Sequence, residues 1–199
     1  MKTFIHFKTV LIYSVVALGA TIGTMSCSNT PKVEDTKKVA EEHNEAKFET
    51  KSTEKDAQYL VNVAEINLEE IKLGQLAQQK ATMAHVKELG KMMETAHTKA
   101  MGDLSAMAAK KMVTIPATAT ADVMDAYKKM SDLKGNKFDK EYCDKMVNGH
   151  KDAISKVEKI STDATDPEIK QWAMAVLPEL RMHLDHSLTC QKKTEKMAK

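Results

Sequence analysis

Five ionisable residues interrupt the apolar stripes of the helices that this sequence predicts. Each occupies a position that the helical repeat assigns to the interior: Glu70, His97, Asp139, His150 and His183. A buried charge without a partner costs roughly several kcal/mol, so such residues need one another, a metal ion or a cavity. Because they come from all four main predicted helices, they indicate a shared polar site in the interior.

Histidine and carboxylate side chains at helical spacing can hold metal ions inside helical bundles. Di-iron bundles use a Glu from each of two helices and a Glu-x-x-His pair from each of the other two. Here Glu94 and His97 have that spacing, whereas Glu179 and His183 are four residues apart and Asp139 stands where a Glu is expected. The pattern disfavours a regular di-iron site and leaves a mononuclear or mixed His and carboxylate site for iron, zinc or copper. The candidate metal ligands are Glu70, His97, His150 and His183, and the candidate supporting residues are Glu94, Asp139 and Glu179.

Predicted heights along the helices indicate how closely these residues approach one another. With a rise of about 1.5 Å per residue, Glu70 and His97 differ by about 4–5 Å, whereas His150 and His183 differ by about 9 Å. We therefore expect neighbouring residues that need not form one compact shell. The alternative to a metal site is a structural network in which interior histidines pair with carboxylates of adjacent helices.

A helical period begins near Lys55 and organises the rest of the chain. Expected helices cover about 56–79, about 82–110 with Thr82 as N-cap, about 121–133 for a short helix, about 137–160, and a last segment starting at Asp166-Pro167-Glu168. Two short turns flank a connection of about 26 residues, which predicts two antiparallel hairpins joined by a long crossover. The sequence therefore predicts an all-α, ferritin-like four-helix bundle whose crossover carries a short helix.

Composition argues against several other classes of protein. Four Pro and seven Gly in 199 residues leave few turn residues for an all-β fold. Without Lys2 and Lys8 of the predicted leader, 28 basic residues balance 28 acidic residues. Because a nucleic-acid partner requires a basic excess, we expect none. The sequence also lacks a phosphate-binding Gly loop and a Ser-centred elbow.

The first 27 residues have the pattern of a lipoprotein signal peptide. A basic start precedes an apolar run over 9–24 that is short for a membrane span, and the run ends at Ser26-Cys27. We expect Cys27 to be acylated, with ordinary cleavage or an uncleaved anchor as the alternatives. Residues 28–54 are polar and predict a disordered tether before a helical domain over 55–199. The expected location is the bacterial cell envelope, with the lipid in the outer membrane and the domain facing the periplasm.

Two further cysteines lie in predicted helices. Outside the cytoplasm, Cys143 and Cys190 could form a disulfide. Cysteines on helices are as often free and buried, and the sequence leaves both alternatives open.

Several segments share a recognisable order along the chain. They are EIKLGQLA (70–77), METAHTKA (93–100), VTIP (113–116), FDKEY (138–142) and LPELRMHL (177–184), together with His150. Over about 55–188 this order resembles the bacterial family called domain of unknown function 4142, which is assigned to the ferritin-like superfamily and whose members are commonly envelope proteins. The resemblance adds Tyr142 to the candidate supporting residues and implies no substrate. Where the family pattern has Asp before the histidine, this chain has Ala96 before His97, which removes a candidate ligand or supporting residue.

Our leading hypothesis is an envelope lipoprotein with a polar interior that binds a metal ion and with no indicated catalytic activity. One alternative is a redox enzyme that uses the metal to act on peroxide or on metal ions, which an open metal position would favour. Another is a non-catalytic interaction or stress protein of the envelope, which a contiguous exposed apolar patch would favour.

Overall fold

The structure is a computed structural model that describes residues 35–197. Over this range the chain forms six helices and no strands, which confirms the predicted all-helical class. They are α1 (Thr36–Lys47), α2 (Lys51–Lys80), α3 (Ala84–Lys110), α4 (Ala121–Ser131), α5 (Gly135–Asp163) and α6 (Pro167–Met197). Among these six, none is both long and apolar enough to cross a membrane. The predicted signal peptide and the lipidation site at Cys27 lie outside the described residues.

The four long helices pack as two hairpins. α2 packs along α3 and α5 packs along α6, and the helix α4 lies in the connection between the hairpins, as predicted. Two glycines let α2 and α3 approach closely, since a Cβ atom on Gly74 would lie 2.6 Å from the carbonyl oxygen of Gly90. This close packing brings the side chains of both helices toward the same interior.

Two buried aspartates connect each hairpin to the other. Asp139, near the start of α5, accepts hydrogen bonds from the backbone amides of Thr82 and Met83 just before α3, both at 3.0 Å. Asp56, near the start of α2, accepts bonds of 2.9 and 2.7 Å from the amides of Thr165 and the next residue, just before α6. The free amides at a helix start are thus capped from the other hairpin, and the side-chain N-cap expected of Thr82 is replaced by a carboxylate of α5.

The segment 36–47 is helical where the sequence predicted a disordered tether over 28–54. Ala40 and Asn44 of this helix are buried. The Asn44 amide exchanges two hydrogen bonds of 2.8 Å with the backbone of Thr114, in the connection between α3 and α4. The tether prediction is wrong for this helix because its polar composition concealed two interior positions, whose partners lie far along the chain.

A polar layer divides the interior into two apolar clusters. The cluster nearer the α2–α3 turn includes Leu73, Val86, Met93, Phe138 and Met146. The cluster nearer the α5–α6 turn includes Leu60, Leu104, Val157, Ile169 and Leu177. The buried polar layer between them contains Asn67, Glu70, His97, His150 and His183. Because apolar residues flank this layer on both sides, its polar groups are largely deprived of water.

Candidate metal centre

Three histidines from three helices meet in the polar layer. His97 lies on α3, His150 on α5 and His183 on α6, and their ring centroids are 5.3 to 5.5 Å apart in each pair. All three side chains are buried, and one nitrogen atom from each ring lies within 4.8 Å of one from each of the other two. Imidazole is a preferred ligand of zinc, copper and iron, so the three rings form a candidate metal centre.

The tautomers of two rings are set by hydrogen bonds on their far sides. The Nδ1 atom of His150 lies 2.8 Å from the carbonyl oxygen of Met146, and that of His97 lies 2.8 Å from Oδ1 of Asn67. Both oxygens accept hydrogen bonds, so each Nδ1 carries the proton and each Nε2 presents a lone pair.

These two lone pairs face each other. The Nε2 atoms of His97 and His150 are 3.4 Å apart. Two acceptors without a proton between them repel each other, whereas a cation between them would attract both. A tetrahedral ion with metal–nitrogen bonds of 2.0–2.1 Å separates its ligand nitrogens by about 3.3–3.4 Å, which matches this spacing.

His183 offers a third nitrogen atom. Its Nδ1 atom is buried and has no hydrogen-bond partner among residues 35–197. Its Nε2 atom lies on the side of Glu179, with 4.0 Å to the carboxylate Oε1. A buried polar atom without a partner costs about 1–3 kcal/mol, so Nδ1 is the candidate ligand atom of this ring.

Burial keeps the three rings neutral. Loss of hydration lowers the pKa of His97 well below its ordinary value and lowers the pKa of His150 to about 4, with a further contribution from the neighbouring rings. Desolvation also lowers the pKa of His183. The neutral imidazole is the form that binds metals, so at neutral pH the site requires no deprotonation before metal binding.

Glu70 lies on the outer side of His150. Its Oε1 atom is 3.9 Å from Nδ1 of that ring, and its Oε2 atom is buried without a hydrogen-bond partner among the described residues. A Cβ atom on Gly149 would lie 3.1 Å from Oε1, so the glycine leaves room for the carboxyl group. Burial, with a smaller effect of Glu69, raises the pKa of Glu70 to about 8. The structure thus groups three of the four candidate ligands and places the fourth beside them as an acid that holds its proton near neutral pH.

A cavity of about 330 Å³ leads to the three histidines. Apolar walls that include Val157 and Trp172 surround it, and His97 and His183 form part of its lining. Because the exposed Asp103 also lines the cavity, it communicates with solvent. A small molecule can therefore reach the edge of the candidate metal centre without unfolding of a helix.

The family comparison covers this site. Residues 41–189 match the model of a family described as domain of unknown function (DUF4142). The chain belongs to the DUF4142 family. The matched range contains the three histidines and Glu70, and the family resemblance seen in the sequence is confirmed. Comparison of the DUF4142 chain with curated proteins and with solved structures gave no match.

The expected supporting residues of the DUF4142 chain have separate roles. Glu94 accepts hydrogen bonds of 2.8 and 2.7 Å from two glutamines of α2 and so joins α2 to α3. Asp139 caps α3, as described above. Tyr142 is fully buried in an apolar cluster, where its ring stacks on Phe138 with centroids 6.2 Å apart. Glu179 lines the cavity beside His183. Of these four side chains, Glu179 is the one that shares the cavity with the histidines.

Two features of the site differ from the sequence analysis or were missed by it. His150 lies 13 residues before the end of α5 at Asp163, and His183 lies 16 residues after the start of α6 at Pro167. The two rings are thus offset by three residues, or about 4.5 Å, and the predicted offset of 9 Å is wrong because α5 is longer than expected. Asn67 was missed, although it precedes Glu70 by three residues on the same helix face.

Proposed function

We propose that this DUF4142 protein binds a transition-metal ion with His97, His150 and His183. The observation that carries the proposal is the 3.4 Å separation of two Nε2 atoms whose lone pairs face each other. A purely structural network would place a proton donor opposite an acceptor, as buried polar groups require. The lowered pKa values of the rings support the same conclusion, because neutral rings do not repel a cation.

Iron, zinc and copper are the candidate ions. Three imidazole nitrogens suit these metals, whereas magnesium and calcium require oxygen ligands that the three histidines do not supply. Bound zinc would supply Lewis acidity, and bound copper or iron would add one-electron chemistry. The residues of the chain contribute the orientation of the three rings and a largely dry surrounding.

The proposed architecture is a ferritin-like bundle with an altered site. Two long-helix hairpins and a crossover that carries α4 support this assignment. The di-iron members of that architecture are rich in bridging carboxylates. Here histidines occupy the interior positions and Glu70 remains outside the group, which favours a single ion over a pair.

The proposed location is the bacterial envelope, with a lipid on Cys27. The basic start, the apolar run and Ser26-Cys27 support this location. Labelling of cells with radioactive palmitate, followed by membrane fractionation, tests it. Label in the outer-membrane fraction that is lost in Cys27→Ser is the expected result. Label that persists in the variant would contradict lipidation at this cysteine.

Metal content of the purified full chain tests the proposed function directly. We expect about one ion per chain by plasma mass spectrometry after purification without chelators, and little metal in His183→Gln. The matched control is His43→Gln, since His43 is exposed on α1 and lies outside the group of three. Equal metal content in wild type and His183→Gln, or no metal in either after reconstitution with iron, zinc and copper, would contradict the proposal. Circular dichroism establishes that both variants remain helical.

A second candidate function is metal-dependent redox catalysis on a small substrate such as hydrogen peroxide. The observation that favours it is the solvent-connected cavity that reaches His97 and His183. Azide is a suitable probe, because its binding changes the visible spectrum of copper-loaded protein. Ala175→Trp would fill the cavity that Ala175 lines. We expect it to abolish the azide response while metal content stays unchanged, and an equal response in both proteins would argue against access by this route.

A further inference from the structure

Two cysteine side chains meet in the apolar cluster at the α2–α3 end of the hairpins. Cys143 lies on α5 and Cys190 on α6, and both are buried as free thiols. Their Sγ atoms are 2.7 Å apart, which is closer than ordinary van der Waals contact between two sulfur atoms. The two sulfur atoms therefore need little backbone movement to bond.

A hydrogen-bonded chain connects this pair to a base. The hydroxyl oxygen of Thr194 lies 3.5 Å from Sγ of Cys143 and 2.8 Å from Nε2 of His85. Burial, with a smaller effect of Lys193, lowers the pKa of His85, so its ring is neutral near pH 7. The chain of thiol, hydroxyl and imidazole provides a path by which a proton can leave the sulfur.

A second cavity, of about 230 Å³, gives access to one of the two thiols. It is lined by Cys190, His85 and Lys193, among others, whereas Cys143 does not line it. A small oxidant would therefore meet Cys190 first, and Cys143 would act second from the interior. The volume favours a small molecule over a folded protein domain as the oxidant.

We propose that Cys143 and Cys190 form an oxidisable thiol pair that closes a disulfide between α5 and α6 by exchange with a small-molecule disulfide. His85 serves as the base for Cys143 through Thr194. The pair lies outside the group of three histidines, so this inference does not depend on the proposed metal site.

The exchange proceeds in two balanced steps. In the first step the Cys190 sulfur attacks one sulfur of the oxidant, a mixed disulfide forms, and the departing thiolate takes up the Cys190 proton. In the second step the Cys143 sulfur attacks the Cys190 sulfur and passes its proton through Thr194 to His85. The second thiolate leaves and is protonated in turn. Two protein thiols are oxidised and one oxidant disulfide is reduced to two thiols.

Peptide mapping of the full chain tests the pair. The folded protein is incubated with 2-hydroxyethyl disulfide, remaining thiols are alkylated, and trypsin releases the segments 141–145 and 182–192, which contain the two cysteines. We expect these two peptides to be joined in the main product. The melting temperature should rise on the order of 10 °C over the reduced protein, because the bridge closes a loop of about 47 residues.

Serine variants and a valine variant complete the test. Cys143→Ser and Cys190→Ser should yield no joined peptide and no oxidant-dependent change in melting temperature, with helicity preserved by circular dichroism. Absence of the joined peptide in oxidised, folded wild type would overturn the thiol pair. Thr194→Val keeps the side-chain shape and should slow closure of the disulfide by about tenfold or more, since it removes the proton path. An unchanged closure rate in Thr194→Val would overturn the role of His85.

Discussion

The Nδ1 atom of His97 lies 2.8 Å from Oδ1 of Asn67, across the α2–α3 hairpin. The two residues are level because 80 minus 67 and 97 minus 84 both equal 13, counted from the ends of the two helices at their shared turn. The amide oxygen holds the proton on Nδ1 and directs the Nε2 lone pair toward His150. Outer partners of this kind orient metal ligands and increase their basicity.

Removal of this amide should weaken metal binding. We expect Asn67→Ala to lower the affinity about 10–100-fold, because the ring loses its fixed orientation. Asn67→Asp retains an acceptor oxygen at the same place and should restore most of the affinity. Competition with a chromophoric chelator measures both constants. Equal affinity in wild type and Asn67→Ala would show that the amide does not position the ring.

Metal binding should stabilise the fold. At a free zinc concentration of about 100 times Kd, we expect about 2.7 kcal/mol of added stability and a rise of about 5–10 °C in melting temperature. Calorimetry with zinc and with a chelator measures the difference. His43→Gln should respond as wild type does, whereas His183→Gln should not respond. A zinc-dependent rise of the same size in His183→Gln would place the ion elsewhere.

Glu70 should make the metal-free protein less stable at high pH. Its pKa is about 8 in the fold against an ordinary value of 4.5. The folded state therefore binds more protons between these values, so the stabilising effect is complete below pH 4.5 and is lost as pH rises toward 8. Glu70→Gln should equal wild type near pH 5 and exceed it by up to about 5 kcal/mol near pH 9, since one pKa unit corresponds to about 1.4 kcal/mol. Urea unfolding between pH 5 and 9 measures this difference, and parallel curves for the two proteins would contradict it.

Asp139 should matter for stability and not for metal content. Asp139→Ala leaves two backbone amides before α3 without their acceptor, and we expect a loss of about 2 kcal/mol. Asp56→Ala removes the equivalent cap before α6 and should cost a similar amount. Chemical denaturation and metal analysis of both variants provide the test. A stable Asp139→Ala protein that has lost its metal would instead make this aspartate part of the site.

Helix α1 should open when its anchor is removed. Asn44→Ala deletes both hydrogen bonds to Thr114, so we expect amide exchange in α1 to accelerate about tenfold or more. Protection of α5 and α6 should not change. Glu45→Ala, at an exposed position of the same helix, is the matched control. Rapid exchange of α1 already in wild type would support the disordered tether over the docked helix.

The sequence alone determined the helices and the polar residues inside them. Helical periodicity is a local property, so the spacing of apolar residues located the four long helices and α4. The same periodicity exposed the residues that interrupt the stripes, and this is why Glu70, His97, His150 and His183 were identified before the structure. It also explains why α1 was missed, because only Ala40 and Asn44 of that helix are buried.

Only the tertiary structure decided which of these residues meet. The height of His150 against His183 depends on where α5 ends, and a boundary error of three residues moves a side chain by about 4.5 Å. Asp139 was a candidate supporting residue until the structure placed it against amides 56 and 57 residues away. Asn67 became a ring partner through a contact 30 residues away in sequence. Hydrogen bonds between distant residues depend on which helices face each other and at what height, and neither quantity is contained in local periodicity.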